Sequence, residues 1–394
     1  MKLVSDYRQL RLFSGSFAVI AALLFAPAIV QAGDPEQPEP QQKETLQKAQ
    51  EFTKTIKKEF SINATGTVNL INKYGKVNVQ TWDKNRTKID VTIVVKAGSE
   101  SEAQRVFDRI RIDFANDDNF VKAETVIEST KSSWWSWGND RSEFQINYEV
   151  FMPPSASLDL SNKYGDSFVA PISSKANVNV KYGNFRLEGV GGDLNVNLGY
   201  GNGTVVKARN VVADVSYSKI IFNDMRDATM TTSYSKITVD NGGDLKAESR
   251  YDQFSLAKLS RFNCQSRYGN VEIGDVESIV AVSRYTDYKI GRLSDKGDFD
   301  LQYGGLRVDH LAKGFSAINM LGKYSDFKID IEEGASYIFD AATNYAGITY
   351  PEGLNVTYEK DKGTSHEVKG HKGTQNARSV IKASLNYGGL KVKQ

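Results

Sequence analysis

The chain has 394 residues, with 50 Lys and Arg against 48 Asp and Glu and a net charge of +2. That balance lacks the strongly basic character of a nucleic-acid binder, and the single cysteine, Cys264, excludes an internal disulfide framework. With 32 Gly, 19 Tyr and 8 Pro, the composition favours strands and turns over helices.

The first 32 residues read as a secretory signal. Lys2, Arg8 and Arg11 precede an apolar run from Phe17 to Val30, and Val30-Gln31-Ala32 forms a small-residue cleavage site. The apolar core is shorter than the ~20 residues a membrane-spanning helix needs, and Pro27 interrupts it. No later stretch is long and apolar enough to span, so the mature chain is expected to be exported without a transmembrane segment. Residues 33–58 form a linker, Pro-, Gln- and Glu-rich to residue 43, with a short polar helix expected over 44–59.

Residues 59–152 read as a β-rich region with one helix. TVNLINKYGKVNVQTW (67–82) alternates with the period of a strand, and KIDVTIVVK (88–96) is another strand. Ser99 begins a helix with acidic residues in its first turn, and Ala103, Val106, Phe107 and Ile110 share one face of it. Strands follow at 110–114, 120–128 and 143–152. Trp134, Trp135 and Trp137 lie in a tip between the last two, and Pro153-Pro154 breaks the chain.

From 153 to the C-terminus one phrase repeats. Tyr164, Tyr182, Tyr200, Tyr217, Tyr234, Tyr251, Tyr268, Tyr285 and Tyr303 follow one another at intervals of 17 or 18 residues; Tyr324 and Tyr345 each come 21 later, and Tyr387 lies twice 21 beyond. A fixed period of this size marks one structural unit stacked many times. The expected fold is all-β, a single-stranded parallel β-helix (a solenoid) of 17–21-residue rungs, with a small α+β elaboration at the N-terminus. Apolar residues share the parity of the Tyr before it and fall at three and five residues after it, which requires a corner. Gly165, Gly183, Gly201, Gly269 and Gly304 are expected to make that corner through their permissive dihedrals. A second corner uses Gly191-Gly192-Asp193, Gly242-Gly243-Asp244 and Gly297-Asp298. The parity places the Tyr ladder inward and the preceding basic residues in water. Counting a missing rung near His366, Tyr164 to Tyr387 spans twelve steps, roughly 57 Å. The polar stretch 357–379 is expected to loop out, and the last strand, LKVKQ, to leave an open edge.

Three segments carry a resemblance: NKYGKVNVQTWDKNRTKIDVTIVVKAGSESEAQRVFDRIRIDF (72–114), LDLSNKYGD (158–166) and the repeating Lys/Arg-Tyr phrase. In these the chain, from about Glu59 to Gln394, resembles the bacterial putative-adhesin family of exported β-strand-repeat proteins of uncharacterised function. The resemblance implies a single-stranded β-helix and an envelope location, and it brings no catalytic residues.

Lys73, Lys163, Lys181, Arg250, Arg267, Arg284 and Lys323 each precede a Tyr, so stacking aligns them in a stripe broken by Gly199, Ser216 and Ser233. Such a stripe fits an anionic polysaccharide or another anionic envelope component; equally, it keeps a flat sheet soluble. The three Trp suit a sugar-stacking or membrane-touching tip, or a cap on the open N-terminal end of the stack. Asp252, Asp287, Asp298, Asp300 and Asp326 fall on turns and make no paired-carboxylate motif. His366 and His371 lack a metal-ligand pattern, and Cys264 reads as a buried small hydrophobe. No catalytic residue, metal or cofactor is expected. The sequence points to a non-enzymatic exported scaffold, adhesin-like or envelope-associated, located in the periplasm, on the outer-membrane surface or outside the cell. The alternatives are a polysaccharide-processing enzyme on the same fold and a periplasmic stress or signalling component with a protein partner.

Overall fold

The computed structural model describes residues 49–128 and 143–394. They are almost entirely β: strands join in a 25-stranded sheet, and the single α-helix is Glu100–Arg109. The helix begins where expected, with the Ser99 side chain accepting from the Glu102 N–H, and it buries Ala103, Val106 and Phe107. The three Trp of the tip and the proposed signal segment lie outside the described residues.

Around this helix the strands run antiparallel. Gln50–Ser61 pairs with Arg86–Ala97, which pairs in turn with Glu143–Met152, and Ile110–Asp117 pairs with Phe120–Ile127. The strand Gln50–Ser61 stands where a short polar helix was expected. Phe52, Ile56 and Phe60 repeat every four residues, a spacing that suits one helical face and one strand parity alike. The twelve-residue register with Arg86–Ala97 decides for the strand, with those three side chains packed against the core.

Thr67–Lys73 lies parallel between Phe120–Ile127 and Ser157–Lys163, and from there the chain returns on itself level by level. Leu158 registers with Ala176 and Ala176 with Leu194; further on, Val211, Ala228, Leu245 and Phe262 are successive partners at 17-residue steps. This parallel register stacks like positions into columns. One interior column holds Val178, Val196, Ala213, Met230, Ala247 and Cys264, all buried. A second, beyond the corner, includes Phe185, Ile220, Ile237, Phe254 and Val271, also buried.

The C-terminal levels do not follow chain order. Ser379–Asn386 lies parallel between Ala317–Lys323 and Tyr337–Asn344. Leu390–Lys393 likewise lies between Phe327–Ile331 and Ile348–Thr349. The segment expected to loop out forms a hairpin, Asn355–Asp361 with Ser365–Lys372, whose second strand packs antiparallel on Tyr337–Asn344. The last strand is therefore interior, where an open edge was expected. No rung is missing near His366.

Candidate functional site

Thirteen described residues other than glycine have a positive φ, between 50° and 62°, and all are repeat tyrosines: Tyr74, Tyr164, Tyr182, Tyr200, Tyr217, Tyr234, Tyr251, Tyr268, Tyr285, Tyr303, Tyr324, Tyr345 and Tyr387. Left-handed backbone costs an L-residue about 1–2 kcal/mol. The Tyr is thus the corner itself. After a strand that alternates in and out, a left-handed residue lets two consecutive side chains, Lys181 and Tyr182 for example, both face water.

This overturns the inward assignment of the Tyr ladder. The twelve repeat tyrosines from Tyr164 onward are 41–61% exposed. It also changes the role of the following glycine. At Gly165, Gly183 and Gly201 a Cβ would stand within about 2.1 Å of the carbonyl oxygen one level below. Glycine is required there by close approach and not by its dihedral freedom. Where the backbone leaves room, a polar side chain takes the position and bonds along the stack: the Gly201 N–H donates to Ser218 Oγ, Ser218 N–H to Ser235 Oγ, and Ser235 N–H to Asp252 Oδ1. Asp252, 2% exposed, also accepts from Thr232 Oγ1, Ser249 Oγ and the Arg250 N–H.

The rings form one continuous outer column. Consecutive centroids are 4.8–5.1 Å apart and the planes agree within 12°. The order runs Tyr303, Tyr324, Tyr387, Tyr345, because the C-terminal strand is inserted. The contour from Tyr74 to Tyr345 is roughly 59 Å. Phe144 meets the outer face of Tyr74 edge-on at 5.5 Å. Because every interior ring has both faces covered by neighbours, the column presents ring edges to the solvent. Stacking a sugar ring on a Tyr face is closed along its length. No side-chain hydrogen bond to another described residue engages any of the thirteen hydroxyls.

The basic residues that precede the tyrosines separate into groups along this column. Lys73, Lys163 and Lys181 are registered at one end, and Lys163 Nζ lies 4.8 Å from the Tyr164 centroid and 5.7 Å from that of Tyr182. Gly199, Ser216 and Ser233 follow. Then Arg250 and Arg267 are registered partners, Arg284 occupies the next level, and Lys323 stands after Gln302. None of these seven cations pairs with a carboxylate. The nearby carboxylates of the corner are committed: Asp166 Oδ1 accepts from the Asn184 N–H at 2.9 Å, and Asp287 and Asp326 accept from Gly305 and Gly389. Asp214, Glu248 and Asp300, three residues before their tyrosines, line the same groove as the arginines, one column beyond them on the side away from the rings.

Cys264 is fully buried, and burial pushes its thiol up to about 12. His366 Nε2 lies 2.9 Å from Glu359 Oε1, and His371 faces Asn355. Among the described residues no three His, Cys, Asp or Glu side chains gather as a metal site requires. None of the described helices is long and apolar enough to cross a membrane.

No family model matches the chain. No curated protein matches it either. Solved structures do. A putative cell adhesion protein from Clostridium sporogenes aligns at 12% identity over 88% of this chain and 100% of its own, with a TM-score of 0.18. A putative adhesin from Parabacteroides distasonis aligns at 12% identity, 71% and 97% coverage, and a TM-score of 0.34. A putative lipid binding protein from the same organism gives 13%, 64% and 96%, and 0.32.

Proposed function

We propose that the chain is an exported, non-enzymatic binding scaffold: a single-stranded parallel β-helix whose Tyr column and basic flank hold an extended polymer of the cell envelope or its surroundings. The carrying observation is the outer column of thirteen tyrosines with the uncommitted cations Arg250, Arg267, Arg284 and Lys323 beside it. A left-handed backbone at every corner is an energetic cost that a purely structural corner avoids by using Gly or Asn. Repeating it places aromatic edges, phenol hydroxyls and cations at one strand spacing along a single line. Each level then adds a weak contact, and the stack sums them.

An anionic polysaccharide suits the charge and hydroxyl pattern, and Lys163 and Lys181 extend it toward the N-terminal levels. An enzymatic reading finds less support, because the turn carboxylates are spent on backbone N–H groups. The 1–32 segment and the family resemblance support export. The test is co-sedimentation of the mature chain with an insoluble acidic polysaccharide, with reducing ends followed in parallel. Salt-sensitive retention without new reducing ends is expected. Release of reducing ends or unsaturated products would replace the scaffold with an enzyme.

A further inference from the structure

The parallel register assembles a second cation column that the period around the basic-Tyr phrase does not display. Lys289, Arg307, Lys328 and Lys391 stand four residues after Tyr285, Tyr303, Tyr324 and Tyr387. Lys289 registers with Arg307, Arg307 with Lys328, and Lys328 with Lys391. Four like charges thus sit at successive strand spacings, about 5 Å apart, an arrangement that is unfavourable unless a counter-charge runs beside it.

The counter-charge on this face is partly committed elsewhere, and Glu272, four residues after Tyr268, lines the groove beside Lys289. Asp287 and Asp326 accept from the Gly305 and Gly389 N–H groups at 2.8 Å, and Asp309 takes the guanidinium of Arg307. Asp330 stands in the column beyond. Lys289, Lys328 and Lys391 have no carboxylate partner. Between this column and the Tyr ridge the successive levels carry Asp287, Gly305, Asp326, Gly389 and Gly347, so a shallow trough runs beside the rings, open at the three glycines and narrowed by an aspartate at the other two levels. A Cβ at Gly305 or Gly389 would find its nearest neighbour 3.4 Å away, and one at Gly347 would meet nothing within 4 Å. Across the ridge, Arg284 and Lys323 flank the same levels.

We propose that this trough, with Lys289, Arg307, Lys328 and Lys391 as its outer wall, binds a linear acidic polysaccharide lying parallel to the Tyr column. The proposal rests on the scaffold reading above and narrows it to one ligand class and one strip of surface. The cations lie in a line and do not converge, which suits a repeating anion and not a single phosphate. The apolar residues beneath, Leu306, Phe327 and Leu390, are buried, so the strip offers no side chain to insert into a bilayer.

The test uses the full mature chain, labelled polygalacturonate as probe, and two triple variants. Lys289→Gln with Lys328→Gln and Lys391→Gln removes the new column and leaves the Arg307–Asp309 pair intact. Arg250→Gln with Arg267→Gln and Arg284→Gln removes the first. Each triple is expected to weaken binding roughly tenfold or more and to flatten its salt dependence, while Lys→Arg at the three lysines retains it. Wild-type binding by the lysine triple, with loss only in the arginine triple, overturns this inference and leaves the scaffold reading standing. No binding of polygalacturonate by the wild type overturns both. Equal binding of polyphosphate, or binding of phosphatidylglycerol vesicles in place of the polysaccharide, overturns the assignment of ligand class.

Discussion

The ring of Tyr387 stacks 4.8 Å from that of Tyr324, although 63 residues separate them in the chain. Tyr345, only 21 residues after Tyr324, lies one level further on, against the other face of Tyr387. The C-terminal strand is therefore a wedge between two levels that the chain order makes neighbours. Gln394 ends it by donating to the carbonyls of Glu332 and Ala335.

The wedge makes the C-terminus unusually costly to lose. Ile381, Leu385 and Val392 are buried to within 1%, and removing the segment leaves unpaired edges on both sides. Truncation after Lys372 is expected to abolish the cooperative transition or to drive aggregation. Leu385→Ala should cost about 2–5 kcal/mol in denaturant unfolding. A truncated chain that melts like the full one would show that the last levels stack in chain order.

Tyr251 carries two opposing terms: ring stacking on both faces and a left-handed backbone. Tyr251→Ala removes the stacking, worth about 0.5–1.5 kcal/mol per ring pair, and keeps the strain. Tyr251→Gly removes both. The glycine variant should be the more stable of the two by about 1 kcal/mol, and Arg250→Ala should fall within about 0.5 kcal/mol of wild type. Equal stabilities for the alanine and glycine variants would mean the corner is not strained.

Asp252 occupies the position that Ser235 and Ser218 fill one and two levels away. Its carboxylate satisfies two hydroxyls and two backbone N–H groups. Asp252→Ala should cost about 2–4 kcal/mol by leaving buried donors unpaired. Asp252→Ser, which restores an acceptor for the Ser235 N–H, should recover part of that in thermal melts. If the serine variant is no better than alanine, the acceptor column contributes nothing.

Cys264 should resist alkylation by iodoacetamide in the native protein at pH 8 and react promptly once unfolded, since burial keeps the thiol protonated. Its raised value also sets a sign. The stability it contributes is complete below the unfolded thiol value, about 8.5, and declines as pH rises from there toward 12. Mass spectrometry of labelled protein across that range checks both statements.

The period, the all-β class and the helix after Ser99 were legible because each rests on local spacing. The corner was legible only in part. The shift of apolar residues from even to odd steps after the Tyr showed that a corner existed. Glycine's permissive dihedrals point to the residue after the Tyr, whereas the left-handed residue is the Tyr itself. The paired outward residues, a cation and then Tyr, were the available signal. The insertion of Ser379–Asn386 was not legible, since a spacing of 42 between Tyr345 and Tyr387 describes chain order and says nothing of which level a strand joins. The column from Lys289 to Lys391 shares one offset from the Tyr, four residues, but the same offset carries Thr238 and Ser255 after Tyr234 and Tyr251, so no basic repeat stands out along the chain.

The central claim is that the outer Tyr column is the binding ridge. Tyrosine nitration read residue by residue, with and without saturating polygalacturonate, tests it most directly. The account predicts that Tyr251 through Tyr387 nitrate freely alone and are protected by the polymer, while buried Tyr148, Tyr288 and Tyr337 stay unreactive in both conditions. Column tyrosines that nitrate at the same rate with the polymer bound would contradict it.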